Sequence, residues 1–399
     1  MDWGGEGVGP REGFVCLRNH RRRSTREMAN RFRSGLLHGS LTGLLVLCVW
    51  IGASAPVAAS AGSPTIAIRV LIVDQATSVL IDGRVRRGAA RFEAPGPHEV
   101  DGRQVRGSVT VIEGRSGLRV VNGLTLEDYV AGTLLGEVPE GFGDVVLRAQ
   151  AVATRTYALH RRAHPRSPDY DVEASTTGQV YLGMNGETVS VRAAVDATRG
   201  QILTFDGEPI LAAFHSAAGG RTATAAEVWG RDVPYLVSIG IRGEDDSPDT
   251  YWRAPVASDE FGDALAAAGK PVGPVRDVTV AERTPSGRSA AVRIRGRDGE
   301  VSLSGESLRR VLGPTRLKST LFEVRRTQDG FVFVGSGNGH GVGMSQWGAR
   351  ALARSGSNHR QILAHFYPGA RIEPLSSQTA RVAGTSVLAA GAGVLGASQ

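Results

Sequence analysis

From residue 65 the hydrophobic pattern is that of strands. TIAIRVLIV (Thr65–Val73), SVTVIEG (Ser108–Gly114) and LRVVNG (Leu118–Gly123) are short β-branched runs separated by turn residues. At Leu124 the period changes. In LTLEDYVAGTLLGEVP (Leu124–Pro139), Leu126, Tyr129, Val130, Thr133 and Leu134 recur at i, i+3, i+4, i+7 and i+8, which is one face of a helix. Thr125 and Asp128 have the spacing of a capping pair at its start, and Pro139 stops it. A second, alanine-rich helix is predicted over roughly 143–163. A third is predicted over 189–200, with Gly200 as its cap. Gln201–His215 reads as a hairpin turning at Asp206-Gly207.

The pattern changes again near Ser258. A helix over 258–268, strands such as VRDVTVAERT and AAVRIRGRDGEVSL, a short helix SLRRVLG and a hairpin FEVRRTQDGFVFV make a smaller αβ module over 258–335. No candidate catalytic residues cluster in it. Five glycines then fall within Gly337–Gly348, followed by a helix expected to start at Ser345. So many glycines imply a backbone in conformations that side chains forbid, or one lying against a ligand. The segment lacks the Gly-Lys-Ser/Thr of a phosphate loop. The expected fold class is α+β, a helical core packed with antiparallel β-hairpins plus the inserted module. Residues 375–399 are Ala/Gly/Ser-rich and expected to be disordered.

Composition alters this picture at one end. Of 399 residues, 41% are hydrophobic and 21% charged, as in ordinary globular proteins, yet the pI is 9.9. Eight arginines and four acidic residues lie in residues 1–61, leaving 38 basic and 35 acidic residues beyond, a net charge of +3. A nucleic-acid partner is therefore not expected. Basic RFRSG, apolar LTGLLVLCVWIGASA and small-residue PVAASA make residues 1–61 a leader with a secretory signal. The chain is thus expected to be exported, to the extracellular, periplasmic or wall space, with an uncleaved anchor as the alternative. Translation from Met28 would give a leader of ordinary length. Both cysteines, Cys16 and Cys48, lie in this leader, so the exported part is expected to fold without disulfides or cysteine-bound zinc.

Glu137 carries the chemistry of interest. Three turns beyond Leu126, it extends the apolar stripe to the helix end. There, burial and the negative end of the helix dipole both favour a protonated carboxyl. Such a group is either a general acid or a helix-end glutamate pointing into water. Arg155, one turn from Ala151 and Leu159, either pairs with a carboxylate or holds a substrate oxygen. Tyr157 reads as core.

Five segments occur in order: GEVPEGFGDVVLRAQAVATRTYAL (Gly136–Leu159), TTGQVYLG (Thr176–Gly183), FHSAAGGRTATAAEVWG (Phe214–Gly230), GHGVGMSQWGARALARSG (Gly339–Gly356) and ILAHFYPGA (Ile362–Ala370). Together they resemble the stage II sporulation protein D family, which includes the amidase enhancers. The resemblance implies a core over 124–257, completed by 336–374 and preceded by a β-rich segment over 65–123. It also implies a peptidoglycan lytic transglycosylase that leaves 1,6-anhydro ends on glycan strands, expected to be free of stem peptides. The alternative it leaves is a non-catalytic, wall-binding enhancer of an amidase partner.

By that resemblance Glu137 is the catalytic acid and Arg155 a functional arginine. The glycines would pass under a sugar strand with His340 exposed to it, Ser345 and Gln346 would contact it, and Trp347 would either stack on a sugar face or be core. Some relatives bind zinc through a histidine near FHS and nearby cysteines. Here His215 stands with Ala223 and no cysteine, so no metal or other cofactor is expected, and His215 is assigned a hydrogen bond within the fold.

Overall fold

A computed structural model describes residues 65–93, 96–175 and 178–376. The leader, Thr176, Thr177 and the tail from residue 377 lie outside the described residues. Strand β1 (Ala67–Ala76) is an interior strand of a five-stranded sheet, paired antiparallel with the central strand Gly117–Thr125 and parallel with the edge strand Val172–Glu173. Gly117–Thr125 pairs in turn with Ser108–Gly114. Two hairpins between these strands, within 79–105, form a separate four-stranded sheet.

The chain passes from the sheet directly into helix α1 (Leu126–Glu137). Thr125 is its N-cap, accepting from the Asp128 N–H while its hydroxyl donates to the Asp128 carboxylate. All five residues of the expected apolar face are buried, but so are Ala131 and Gly132. The helix is enclosed because it packs on helix α2 (Asp144–Ala163), helix α3 (Val189–Ala197) and an irregular segment over 178–186. Alanines 149, 151, 153 and 158 keep α2 thin, so α1, α3 and two C-terminal helices, Gln346–Arg354 and His359–Phe366, all reach it.

Two expected elements differ. Helix α3 ends at Ala197 with Thr198 as C-cap, and Gly200 takes its left-handed turn two residues later. The hairpin after it turns at Asp206-Gly207, both at positive φ, but its second arm is only Glu208–Pro209. Proline has no N–H to continue a ladder. Gln201–Phe205 instead pairs along its other edge with Arg371–Pro374, and Phe214–His215 runs parallel to Met344–Ser345.

Residues 252–333 build a second hydrophobic core. It begins at Trp252, ahead of the boundary expected at 258, because WRAPVA alternates buried and exposed positions against Gly330–Gly335. Arg288 pins this part to the first core. Its buried guanidinium donates to the Ala218 and Arg221 carbonyls.

Candidate active site

Glu137 ends α1 and is half-buried. Its carboxylate accepts a short hydrogen bond from the Val180 N–H. The neighbours of Val180 fix that donor from both sides. The Tyr129 hydroxyl of α1 donates to Gln179 (2.6 Å), and the Tyr181 hydroxyl donates to Asn122 of the sheet (2.9 Å). The two tyrosine rings stack at 5.7 Å. Through these two flanking bonds the backbone at Val180 is tied to both the helix and the sheet.

Glycine makes this approach possible. A Cβ on Gly136 would lie 2.0 Å from the Val180 carbonyl oxygen, and one on Gly132 would lie 2.6 Å from the Tyr181 ring. Gly136→Ala is therefore expected to push the segment off α1 and destabilise the protein by about 1–3 kcal/mol. Urea unfolding measures this, and an unchanged midpoint would mean that the segment withdraws without cost.

Burial pushes the Glu137 carboxyl up to about 7, against the lowering effect of the Val180 hydrogen bond. Among the described residues no second carboxylate adds to that rise. At neutral pH a substantial fraction of Glu137 carries its proton, at the rim of the fold.

The other expected site residues do not gather around it. Arg155 is fully buried and binds Glu127 through two bonds, Nε to Oε1 at 2.9 Å and Nη2 to Oε2 at 2.6 Å. It also donates to the Gln201 carbonyl (3.1 Å). Glu127 opens α1 and Glu137 closes it, ten residues or about 15 Å apart along the axis. Arg155 thus anchors the far end of the helix, its guanidinium fully buried against Glu127. Ser345 is also buried. Its hydroxyl donates to Glu244 and accepts from the Gly348 N–H as N-cap, so it is a structural group. Gln346 is buried as well, its amide donating to Gln150 of α2 (3.3 Å).

The glycine-rich segment lies against protein. Gly337, Gly339, Gly341 and Gly343 all have positive φ. A Cβ on Gly341 would strike the Arg288 guanidinium at 2.3 Å, and one on Gly343 the Ala213 carbonyl oxygen at 2.0 Å. These glycines admit Arg288 and the neighbouring chain, which corrects the expectation of a sugar strand above them. His340 is half-buried between His215 (5.6 Å between ring centroids) and Trp229 (5.4 Å), and its Nδ1 accepts from the Val342 N–H. Burial, then the nearby cation of Arg309, pulls its imidazole down to about 4, so it is neutral at physiological pH. His215 Nδ1 donates to the Val342 carbonyl, the internal hydrogen bond expected of it. Zinc does not fit here, since no cluster of three His, Cys, Asp or Glu exists among the described residues.

Trp347 keeps a half-exposed ring. It meets Phe142 edge-on at 4.8 Å and carries the Arg350 guanidinium 4.9 Å above it. Phe142 follows Glu137 by five residues. A cleft of about 380 Å³ opens near Glu244, lined by Gly219, Gly220, Arg242 and Thr250 among others, and Glu137 is not part of its wall. Sequence reasoning missed Val180, although its segment was one of the five, and it assigned Tyr157 to the core. Tyr157 is half-buried, and its hydroxyl is raised by burial first and by the Glu137 charge in part.

A family described as stage II sporulation protein matches residues 114–205, the stretch holding Glu137, Arg155 and Val180. A domain of unknown function (DUF8618) matches residues 242–343, which contain the second core. The chain is 30% identical to stage II sporulation protein D of Bacillus amyloliquefaciens over 77% of its own length and 94% of the relative's. It is 31% identical to the protein of that name from Bacillus subtilis, over 65% of this chain and 77% of the relative. It is 28% identical to the amidase enhancer of Bacillus subtilis, over 60% of this chain but 39% of that longer relative. The chain belongs to the stage II sporulation protein D family.

Proposed function

We propose that the protein acts on the cell wall as a lytic transglycosylase, cleaving peptidoglycan glycan strands between N-acetylmuramic acid and N-acetylglucosamine. The observation that supports this reading is Glu137, a rim carboxyl held by Val180 with its pKa raised to about 7. A hydrolase would use a second carboxylate as base or nucleophile. In the proposed reaction the muramic acid C6 hydroxyl takes that part. Glu137 gives its proton to the glycosidic oxygen as the C1–O bond breaks. The C6 oxygen then bonds to C1 and its proton passes to the Glu137 carboxylate, leaving a 1,6-anhydro end and regenerating the acid.

The pH dependence follows from the required protonation state. The first step needs the protonated carboxyl, so kcat/KM is expected to be level below about pH 7 and to fall tenfold per pH unit above it. The wild-type protein incubated with purified glycan strands should yield anhydro-muramyl ends by mass spectrometry. Reducing ends alone would make the reaction hydrolysis.

The second reading is a wall-binding enhancer of an amidase, favoured by the similarity to a relative bearing that name. It predicts binding without product from the protein alone, and faster stem-peptide removal once an amidase is added. Either role requires export.

A further inference from the structure

The two tyrosine bonds that flank Val180 differ in what they serve. Asn122, the partner of Tyr181, is fully used. Its Oδ1 accepts from the tyrosine, and its Nδ2 donates to the carbonyls of Arg106 (2.7 Å) and Ser108 (2.9 Å), so it fastens the sheet as well. Gln179, the partner of Tyr129, is half used. Its Oε1 accepts from the phenol at 2.6 Å, while its Nε2 is buried and has no partner among the described residues. Both Tyr129 and Gln179 are fully buried.

An unpaired buried donor is costly, and two apolar side chains of the same shape would fill this space without one. Stability alone therefore does not account for the Tyr129–Gln179 bond. Its place does. The Gln179–Val180 peptide carries the N–H that Glu137 accepts, and the Gln179 side chain ties that peptide to α1. The segment has two further backbone ties. The Gln179 N–H donates to the Glu173 carbonyl at 3.2 Å, away from α1, and the Leu182 N–H donates to the Gly132 carbonyl at 2.8 Å, two residues beyond Val180.

Few groups reach Glu137 electrostatically. They are the phenols of Tyr129, on its own helix, and of Tyr157 on α2, both kept neutral by burial. Among the described residues no charged group of α2, the sheet or the 178–186 segment contributes to its shift, and the Val180 N–H is the contact that favours the charged carboxylate.

We propose that Tyr129 and Gln179 are positioning residues for the acid: without touching the glycan, their bond holds the Val180 N–H on the Glu137 carboxylate and so sets the pH at which Glu137 gives up its proton. The proposal deepens the transglycosylase reading and rests on it. Each turn of the proposed reaction leaves Glu137 charged once, and the held N–H is what meets that charge.

The test is a titration of Glu137 in the full chain, followed through the carbon-13 signal of its carboxyl and assigned by the loss of that signal in Glu137→Gln. The double variant Tyr129→Phe, Gln179→Met removes the bond and the unpaired donor together, so it is expected to melt close to the wild type. Its Glu137 is expected to titrate about one pH unit higher, because a loosened N–H stabilises the carboxylate less. The fall of kcat/KM should move up with it. Leu308→Ala, a change in the second core, should leave the titration in place. A double variant that titrates where the wild type does would overturn the proposal, and so would an equal shift in Leu308→Ala. Should the double variant melt early, Tyr129→Phe alone supplies the same comparison. The two readings fail separately, since the titration needs no glycan. A shifted titration without anhydro products from the wild-type protein sinks the cleavage reaction alone, whereas anhydro products with an unshifted titration sink only the positioning role.

Discussion

Glu137→Gln is expected to lower kcat/KM for glycan cleavage by ~10²–10⁴-fold, the range a positioned general acid contributes. The same change should make the protein more stable above neutral pH. The folded protein holds this proton up to about pH 7, whereas the unfolded chain releases it near 4.5. Stability therefore falls as pH rises between those values. Ionisation would cost the fold roughly 3 kcal/mol at most, and solvent at the exposed side of the carboxyl reduces this to about 1–2 kcal/mol. Glutamine never ionises, and its amide oxygen still accepts from Val180. Melting curves at pH 5 and pH 8 measure the effect. The variant should match the wild type at pH 5 and exceed it at pH 8. Full cleavage by this variant would remove Glu137 from the chemistry.

Arg155→Ala is expected to cost about 3–5 kcal/mol, because it leaves the Glu127 carboxylate and the Gln201 carbonyl without their buried partner. Melting should fall by roughly 5–10 °C. Cleavage measured well below the new melting temperature should stay within a few-fold of wild type. Arg155→Lys should recover part of the stability, since one ammonium group replaces a two-point grip. A variant with normal melting but cleavage lost a hundredfold would instead place the guanidinium on substrate.

These two residues show what the sequence could and could not convey. Glu137 was legible because both signals are local: its place on the stripe begun by Leu126, and its place at the helix end. Arg155 shared a motif with it, and motif membership suggested a shared site. The three-dimensional fact that separates them is the length of α1, at whose opposite ends they act. Val180 was invisible because a backbone N–H leaves no trace in residue type. Only the glycine at 136 and the tyrosines at 129 and 181 hint that a strand must come close there. The glycines of 337–343 were read as a backbone either in turns that side chains forbid or lying under a sugar strand; the positive φ angles fit the first, and what fills the space beside them comes from Arg288 and Ala213, too distant in sequence for any local pattern to reveal.

The pairing of Gln201–Phe205 with Arg371–Pro374 has a consequence for how the protein is made. The Arg155 side chain reaches the Gln201 carbonyl, and the Leu375 N–H closes on Gly200 at 2.7 Å, so both bear on the same short strand. A nascent chain emerging amino end first holds that strand with one edge open until residue 375 has followed it out. Such late, long-range closure slows folding and prolongs exposure of a sheet edge. The Arg371–Pro374 strand thus acts as the latch that closes this edge.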